Sequence, residues 1–361
     1  MSKATSAIFP TLVLGSGPAA LTAAIVLARR GIPVTLASAG AAEQAPRIDA
    51  VPLQTLAALV ELGLHPAGLG VSQTSDHILT AWERAHPVLR PTAPRVHVER
   101  RLLDRALSAL ASRTPELTIE PEASPDDFEK VIDATGRRSR TALRVHRAVP
   151  VWIAQVRHFD GRFSPSQAAL RTAALGNGYA YRLGTHERLS LGLVRPKDQC
   201  GSSEENWTDL LGRSGARWII GGLDERAGTK ARGGACSFQW TEPGTAQVIG
   251  DSAFAPDILA SQGLSRAITA GLAVDNLAVG VGEAISTHCT KLRQVIAASR
   301  WASAPSWRAY DQSIASLAAE AAAFFGHSQA AIGAWNPGAA RNARRGGTGR
   351  APEWKARTIF L

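Results

Sequence analysis

Carboxylates and glycines carry the chemistry legible in this 361-residue sequence, more than nucleophiles or metal ligands do. Gly250-Asp251-Ser252-Ala253-Phe254-Ala255-Pro256-Asp257 runs on to Gln262-Gly263-Leu264. It reads as a strand delivering Gly-Asp, a loop of roughly ten residues, and a glycine that opens a helix. Asp251 at the strand end can accept from a ligand hydroxyl, and the first-turn N–H groups after Gly263 have no partner of their own, which favours an anion. Asp257 and the earlier Asp49 are candidate bases or orienting groups, although a loop cap explains an aspartate equally well. Near the start, Gly15-Ser16-Gly17-Pro18-Ala19-Ala20 follows Leu12-Val13-Leu14 and precedes an Ala/Leu-rich run. Gly15 permits a sharp turn, Gly17 lets the backbone approach a pyrophosphate, and Ala20 replaces the third glycine where helix packs on strand. A dinucleotide suits that strand, turn and helix.

The elements that position these groups can be followed along the chain. No charged residue occurs between Lys3 and Arg29. A signal peptide or membrane helix would share that feature, but Gly15, Gly17 and Pro18 would break a span in its middle and a strand signal, Ile32 to Leu36, follows directly. The second strand ends at Ala37-Ser38, where such folds usually carry an acidic ribose ligand; a serine bonds the same hydroxyls more weakly. A helix is expected through Leu53 to Val60, and a strand entering a helix at Arg95 to Asp104. Phe128 to Ser139 reads as a strand ending in a glycine turn. Alternation of apolar and polar residues from Val149 to Pro196 describes antiparallel strands with one covered face. Helical composition extends from Ala267 nearly to Phe325.

Cys200, Cys236 and Cys289 are far apart and odd in number, which argues for a reducing, cytoplasmic setting and against a disulfide framework or zinc site. The nine histidines show no ligand spacing. The net charge is +10. From Arg341 onward six basic residues stand against one acidic residue in a Gly/Ala-rich tail, which reads as a mobile arm able to meet an acidic partner. Aromatic residues do not alternate with those charges, so nucleic acid is not expected.

Three signals in this order, GSGPAA at Gly15 to Ala20, DATG at Asp133 to Gly136 and GD-x(11)-G at Gly250 to Gly263, resemble flavin-dependent monooxygenases of the p-hydroxybenzoate hydroxylase fold. DATGRRS, GDSAFAPD and RIDAVP are similar to motifs of the branch that contains tryptophan halogenases and geranylgeranyl reductases. VHVERRLLD is similar to that branch's strand-to-helix R-x-x-F-D, which points to Arg100. The resemblance implies an α/β fold: an FAD-binding Rossmann-like domain of the glutathione reductase and p-hydroxybenzoate hydroxylase type, with an inserted antiparallel-sheet substrate domain and C-terminal helices. The corresponding segments are 1–70, 95–148 and 244–290 for FAD, 71–94 and 149–243 for substrate, 291–335 for the helices and 336–361 for the tail.

It further implies FAD in an extended pose. Gly15, Gly17, Pro18, Ala19 and Ala20 would meet the pyrophosphate and Ser38 the adenosine ribose. Arg47, Arg100, Asp133, Thr135, Gly136 and Gly250 would support the cofactor, Asp251 would hold the ribityl chain, and Gln262, Gly263 and Leu264 the ring edge. The activity implied is hydroxylation of an electron-rich aromatic ring through a C4a-hydroperoxyflavin. Trp82, Trp152, Tyr179, Tyr181 and Trp240 are candidates for the pocket, and each is also explained as core packing. Electrons would come from NAD(P)H or a separate flavin reductase, since no second nucleotide fingerprint is present. Flavin halogenases pass on hypohalous acid through an early lysine, and none occurs between Lys3 and Lys130. The compact length, the early Asp-x-x-Pro and the SQG loop are similar to flavoproteins that mature tryptophylquinone cofactors by oxygenating a tryptophan inside a partner enzyme. A small indole or aromatic substrate, a geranylgeranyl-type reductase and a non-catalytic flavoprotein partner remain as other readings.

Overall fold

Four consecutive buried positions, Thr11–Leu14, mark the first strand as the centre of a covered parallel sheet. The computed structural model describes residues 10–38, 47–71, 73–200, 206–224, 227–257, 259, 262–274 and 281–334. In chain order the elements are β1 (Thr11–Leu14), α1 (Pro18–Arg29), β2 (Val34–Ala37), β3 (Ile48–Pro52), α2 (Leu53–Glu61), β4 (Gln73–Ala81), β5 (Val88–Glu99), α3 (Arg100–Ala111), β6 (Leu117–Glu120), β7 (Lys130–Asp133) and β8 (Ala142–Arg147). There follow β9 (Trp152–Asp160), α4 (Pro165–Ala168), β10 (Arg171–Leu175), β11 (Gly178–Gly184), β12 (Arg188–Pro196), α5 (Trp207–Arg213), β13 (Thr229–Ala235), β14 (Gln239–Pro243), β15 (Gln247–Val248), β16 (Phe254–Ala255), α6 (Gly263–Leu272), α7 (Val281–Ala297) and α8 (Pro305–Ala334). The basic tail 336–361 lies outside the described residues.

Strands β15-β7-β1-β2-β6 form an all-parallel sheet. Helices α1, α3 and α6 cover it, burying Ile25, Leu27, Leu103, Leu107 and Ile268 against Val13, Leu36 and Ile132. Complete burial of side chains of this kind stabilises by roughly 1.5–3 kcal/mol each.

An eight-stranded sheet, β13-β9-β12-β11-β10-β4-β5-β3, makes the second layer. It is not purely antiparallel: β10 runs parallel to β4. The chain leaves the sheet after β5 and returns at β9 only after α3, β6, β7 and β8, and a long crossover of that sort permits a parallel pair where a tight hairpin cannot. One face carries Ala173, Leu175, Ala180, Leu189, Leu191 and Leu193 under Trp207 and Leu211 of α5. A third core joins Trp152, Phe238 and Trp240 to Trp307, Tyr310, Ile314 and Leu317 of α8, whose spacing of three and four residues forms one apolar stripe. No helix among the described residues is long and apolar enough to cross a membrane.

Candidate functional site

The turn after β1 is fixed by glycine chemistry. Gly15 has φ +125°, and a Cβ there would stand 2.5 Å from the Ala134 carbonyl oxygen. Its absence lets the ends of β1 and β7 close together, and the Gly15 N–H donates to Ala37 O at 3.0 Å. Helix α1 then starts at Pro18 behind Gly17, with no side-chain cap on its first N–H groups. A Cβ on Gly17 would point into open space. Helix α6 starts in the same manner: Gln262 gives no side-chain cap, and a Cβ on Gly263 meets nothing within 4 Å. Gly250, at φ +59°, brings the Gly-Asp turn onto α1, since a Cβ there would lie 2.8 Å from that of Ala19. Two uncapped helix starts therefore open side by side.

A crevice of about 380 Å³ runs between the layers. Gly17, Pro18 and Ala19 line it together with Arg47, Asp49, Arg100, Gly136 and Asp251, and with Gln262, Gly263 and Leu264. Opposite stand Ala154 and Val156 of β9, Thr172 of β10, Tyr179, Tyr181 and Leu183 of β11, and Cys236. Pro256 and Asp257 line the crevice as well. The two stretches that suggested nucleotide chemistry, Gly15 to Ala20 and Gly250 to Leu264, thus face one cavity.

Not every expected residue does. Asp133 is fully buried, with both carboxylate oxygens turned inward. Oδ1 accepts from Thr135 N at 2.9 Å and Thr135 Oγ1 at 2.6 Å; Oδ2 accepts from Ser139 Oγ, Thr141 N and Thr141 Oγ1 at 2.8–2.9 Å. Ser252 Oγ also donates to Oδ1 at 3.2 Å, while accepting from Gly136 N at 2.8 Å. Burial alone would raise the Asp133 pKa, but these donors outweigh it and hold the group below its ordinary value. The carboxylate thereby ties the DATG turn to the Gly-Asp turn, and neither it nor Thr135 lines the crevice. Ser38 ends β2 with its N–H on Glu120 O at 2.8 Å, also away from the cavity. Gly15, Ala20 and Gly250 shape the wall from behind it.

Asp49 is held by two guanidiniums, Arg47 Nε at 3.3 Å and Arg100 Nη1 at 3.7 Å. Arg100 is itself fixed by Asp104 at 2.7 Å, and the Arg47 pKa is raised chiefly by Asp49. Burial raises the Asp251 carboxyl, against the pull of Arg137, Arg47, Arg100 and Arg266. Asp257 is fully buried: Oδ1 accepts from Leu259 N at 2.7 Å and Oδ2 from the Tyr310 hydroxyl. Its pKa is raised by burial, which those two donors only partly offset.

Of the five aromatic candidates, Tyr179 and Tyr181 line the crevice. Trp82 and Trp152 pack behind Tyr179, with ring centroids 6.0 and 6.1 Å from it. Trp240 stacks on His146 at 3.9 Å, in the three-stranded sheet β16-β14-β8. Two contributors had no prominence in the sequence. Arg137, directly after DATG, donates to Ser237 O at 2.5 Å and Pro256 O at 2.8 Å, pinning the Asp257 segment. Tyr310 lies deep in α8, where helical spacing signals burial and nothing more.

No protein-family model and no curated protein matches the chain. Solved structures do. The peptidyl tryptophan dihydroxylase QhpG, essential for tryptophylquinone cofactor biogenesis, superposes with a TM-score of 0.60 at 19% identity, over 85% of this chain and 79% of its own. The myxobacterial chondrochloren halogenase CndH gives 0.61 at 16%, over 84% and 85%. The flavin-dependent brominase Bmp2 gives 0.61 at 15%, over 91% and 100%. The chain has the fold of FAD-dependent monooxygenases and halogenases. In this flavoprotein fold the parallel sheet and the C-terminal helices stand as the motifs led us to expect, and the expected antiparallel sheet is present with one parallel pair, β4 and β10.

Proposed function

We propose that this chain is an FAD-dependent monooxygenase acting on an electron-rich aromatic ring, and that the ring is a tryptophan side chain presented by a partner protein. One observation carries the reading: both uncapped helix starts, Asp251 and the tyrosine-bearing wall of β11 border a single crevice.

The residues fit the cofactor. Gly17 and Ala19 would hold the pyrophosphate at the start of α1, with Arg47 and Arg100 adding positive charge. Asp251 would accept from the ribityl hydroxyls, and Gly263 with Leu264 would receive the ring edge, where negative charge on the reduced flavin is favoured by the helix start. When bound and reduced, by NAD(P)H or by a separate flavin reductase, FAD supplies the electrons that activate O₂. The protein's own residues do the rest. Ala154, Val156 and Leu183 make an apolar wall that excludes water, Tyr179 and Tyr181 border it, and the buried Asp257 is the carboxylate we assign to take the proton that leaves the ring as aromaticity returns. Asp49, engaged by Arg47 and Arg100, serves the cofactor end as an orienting group. No lysine lines the crevice among the described residues, which disfavours transfer of hypohalous acid through an ε-amine. QhpG bears a protein-tryptophan activity in its name, which favours a side-chain substrate over a free one.

The purified protein should be yellow, or become so with added FAD. With a reductant, ¹⁸O₂ and a tryptophan-bearing partner or peptide, the indole ring should gain ¹⁸O. A protein that takes up no flavin overturns the reading. Flavin turnover that leaves every aromatic probe unlabelled removes the oxygenase and leaves a reductase or a binding protein.

A further inference from the structure

Tyr179 is buried at 3% exposure on the crevice wall, with the Asp257 carboxylate as the acceptor beside its hydroxyl and no group donating to the hydroxyl oxygen. A buried phenol whose proton faces a carboxylate still has unused lone pairs on its oxygen, and facing a cavity it can accept from a ligand. Its neighbours on that wall are engaged: Thr172 Oγ1 donates to Thr80 Oγ1 at 2.9 Å, and Cys236 Sγ to Trp152 O at 3.3 Å. The ring cannot swing away, because Trp82, Trp152 and Trp307 surround it at centroid distances of 6.0–6.5 Å. Two of those clamps are themselves tied, Trp307 Nε1 to Leu175 O at 2.8 Å and Trp82 Nε1 to Val295 O at 2.7 Å.

The charge beside the phenol is equally fixed. Asp257 is held by Leu259 N–H and by the hydroxyl of Tyr310, 53 residues further along, which in turn accepts from Phe238 N at 2.9 Å. Tyr310 is pinned against Trp152 with centroids 4.9 Å apart. Burial and the Asp257 charge both keep the Tyr179 phenol protonated. A carboxylate on one side draws the hydroxyl proton toward itself, which leaves the oxygen lone pairs for whatever enters the crevice.

We propose that the Tyr179 hydroxyl is the crevice's acceptor for a ring-borne N–H or O–H, and so selects indole- or phenol-like rings over those lacking a donor, with Tyr310 a positioning residue acting through Asp257. The inference rests on the aromatic-ring reading above and adds the feature of the ring that is recognised. A rigid acceptor in a water-poor site rejects a ring that cannot satisfy it more strongly than an apolar wall rejects one extra methyl.

The test titrates the FAD-loaded protein with indole and with 1-methylindole, following the flavin absorbance. Indole should bind about 10- to 100-fold more tightly, the range expected of one buried hydrogen bond. Tyr179→Phe should bring the two ligands to within about threefold of each other, whereas Tyr181→Phe should retain the preference. Wild-type discrimination needs no variant, so a misfolded Y179F leaves the test intact. Equal binding of the two rings, failure of both to bind, or a preference that survives Y179F or disappears in Y181F overturns the assignment. Labelling of a tryptophan by ¹⁸O₂ would still support the oxygenase in any of those cases.

Discussion

Alanine at position 15 should leave the protein nearly colourless and less stable. Its Cβ would stand 2.5 Å from the Ala134 carbonyl oxygen, and the φ of +125° is one that residues with side chains rarely adopt. The obstacle is backbone at the end of β7, so relief means parting β1 from β7 at the mouth of the crevice. Strain and displaced packing together come to roughly 2–4 kcal/mol. Gly15→Ala should therefore retain less than about a tenth of the wild-type flavin and unfold several degrees earlier, whereas Gly17→Ala, whose Cβ meets no protein atom within 4 Å, should keep the wild-type melting temperature while binding FAD less well. Flavin content after gel filtration and a thermal melt settle both. A G15A protein with full flavin and an unchanged melt would mean that the turn is not the strut described.

Asp133→Ala should be the more damaging change to the fold. It removes the acceptor for donors on Thr135, Ser139, Thr141 and Ser252 and leaves them inside the protein, a loss of roughly 3–5 kcal/mol. The acid response follows from the lowered pKa. The ionised group contributes stability that is fully present above its unfolded value of 3.8 and is lost as pH falls through the lower folded value. Wild-type stability should accordingly fall steeply below about pH 4, and Asp133→Ala should flatten that limb while lowering the plateau at pH 7. Urea midpoints from pH 7 to pH 3 measure both. Identical acid limbs would show that other carboxylates govern acid unfolding.

Local patterns were the readable part of this chain. The strand, turn and helix from Thr11 to Arg29 follow from a glycine pair, a proline at the first helical position and four buried β positions. The Gly-Asp loop and the Gly263 helix start could be read for the same reason, because backbone constraints act over a few residues. Partners across the fold could not be read. Nothing near Asp133 says that its carboxylate turns inward to Ser252, 119 residues away. Nothing in Trp240 separates a place on the crevice from a stack on His146. By helical spacing Tyr310 is one more position of an apolar stripe, and only the packing of α8 beside Phe238 and Trp240 brings its hydroxyl to Asp257. Burial period identifies the covered face of an element, while the identity of the cover belongs to topology.

Strand β15 is two residues long and completes the parallel sheet by pairing with β7, more than a hundred positions earlier. During synthesis, β1, α1, β2, β6 and β7 leave the ribosome long before it does, together with the whole intervening second layer. On the proposed reading, a nascent chain exposes its first glycine turn with no Gly-Asp loop to meet it, and should acquire affinity for flavin only once α6 has emerged. Cofactor capture is in this way postponed until the chain beyond Gln247 has been made, and a fragment stopped before Gln247 should be released empty.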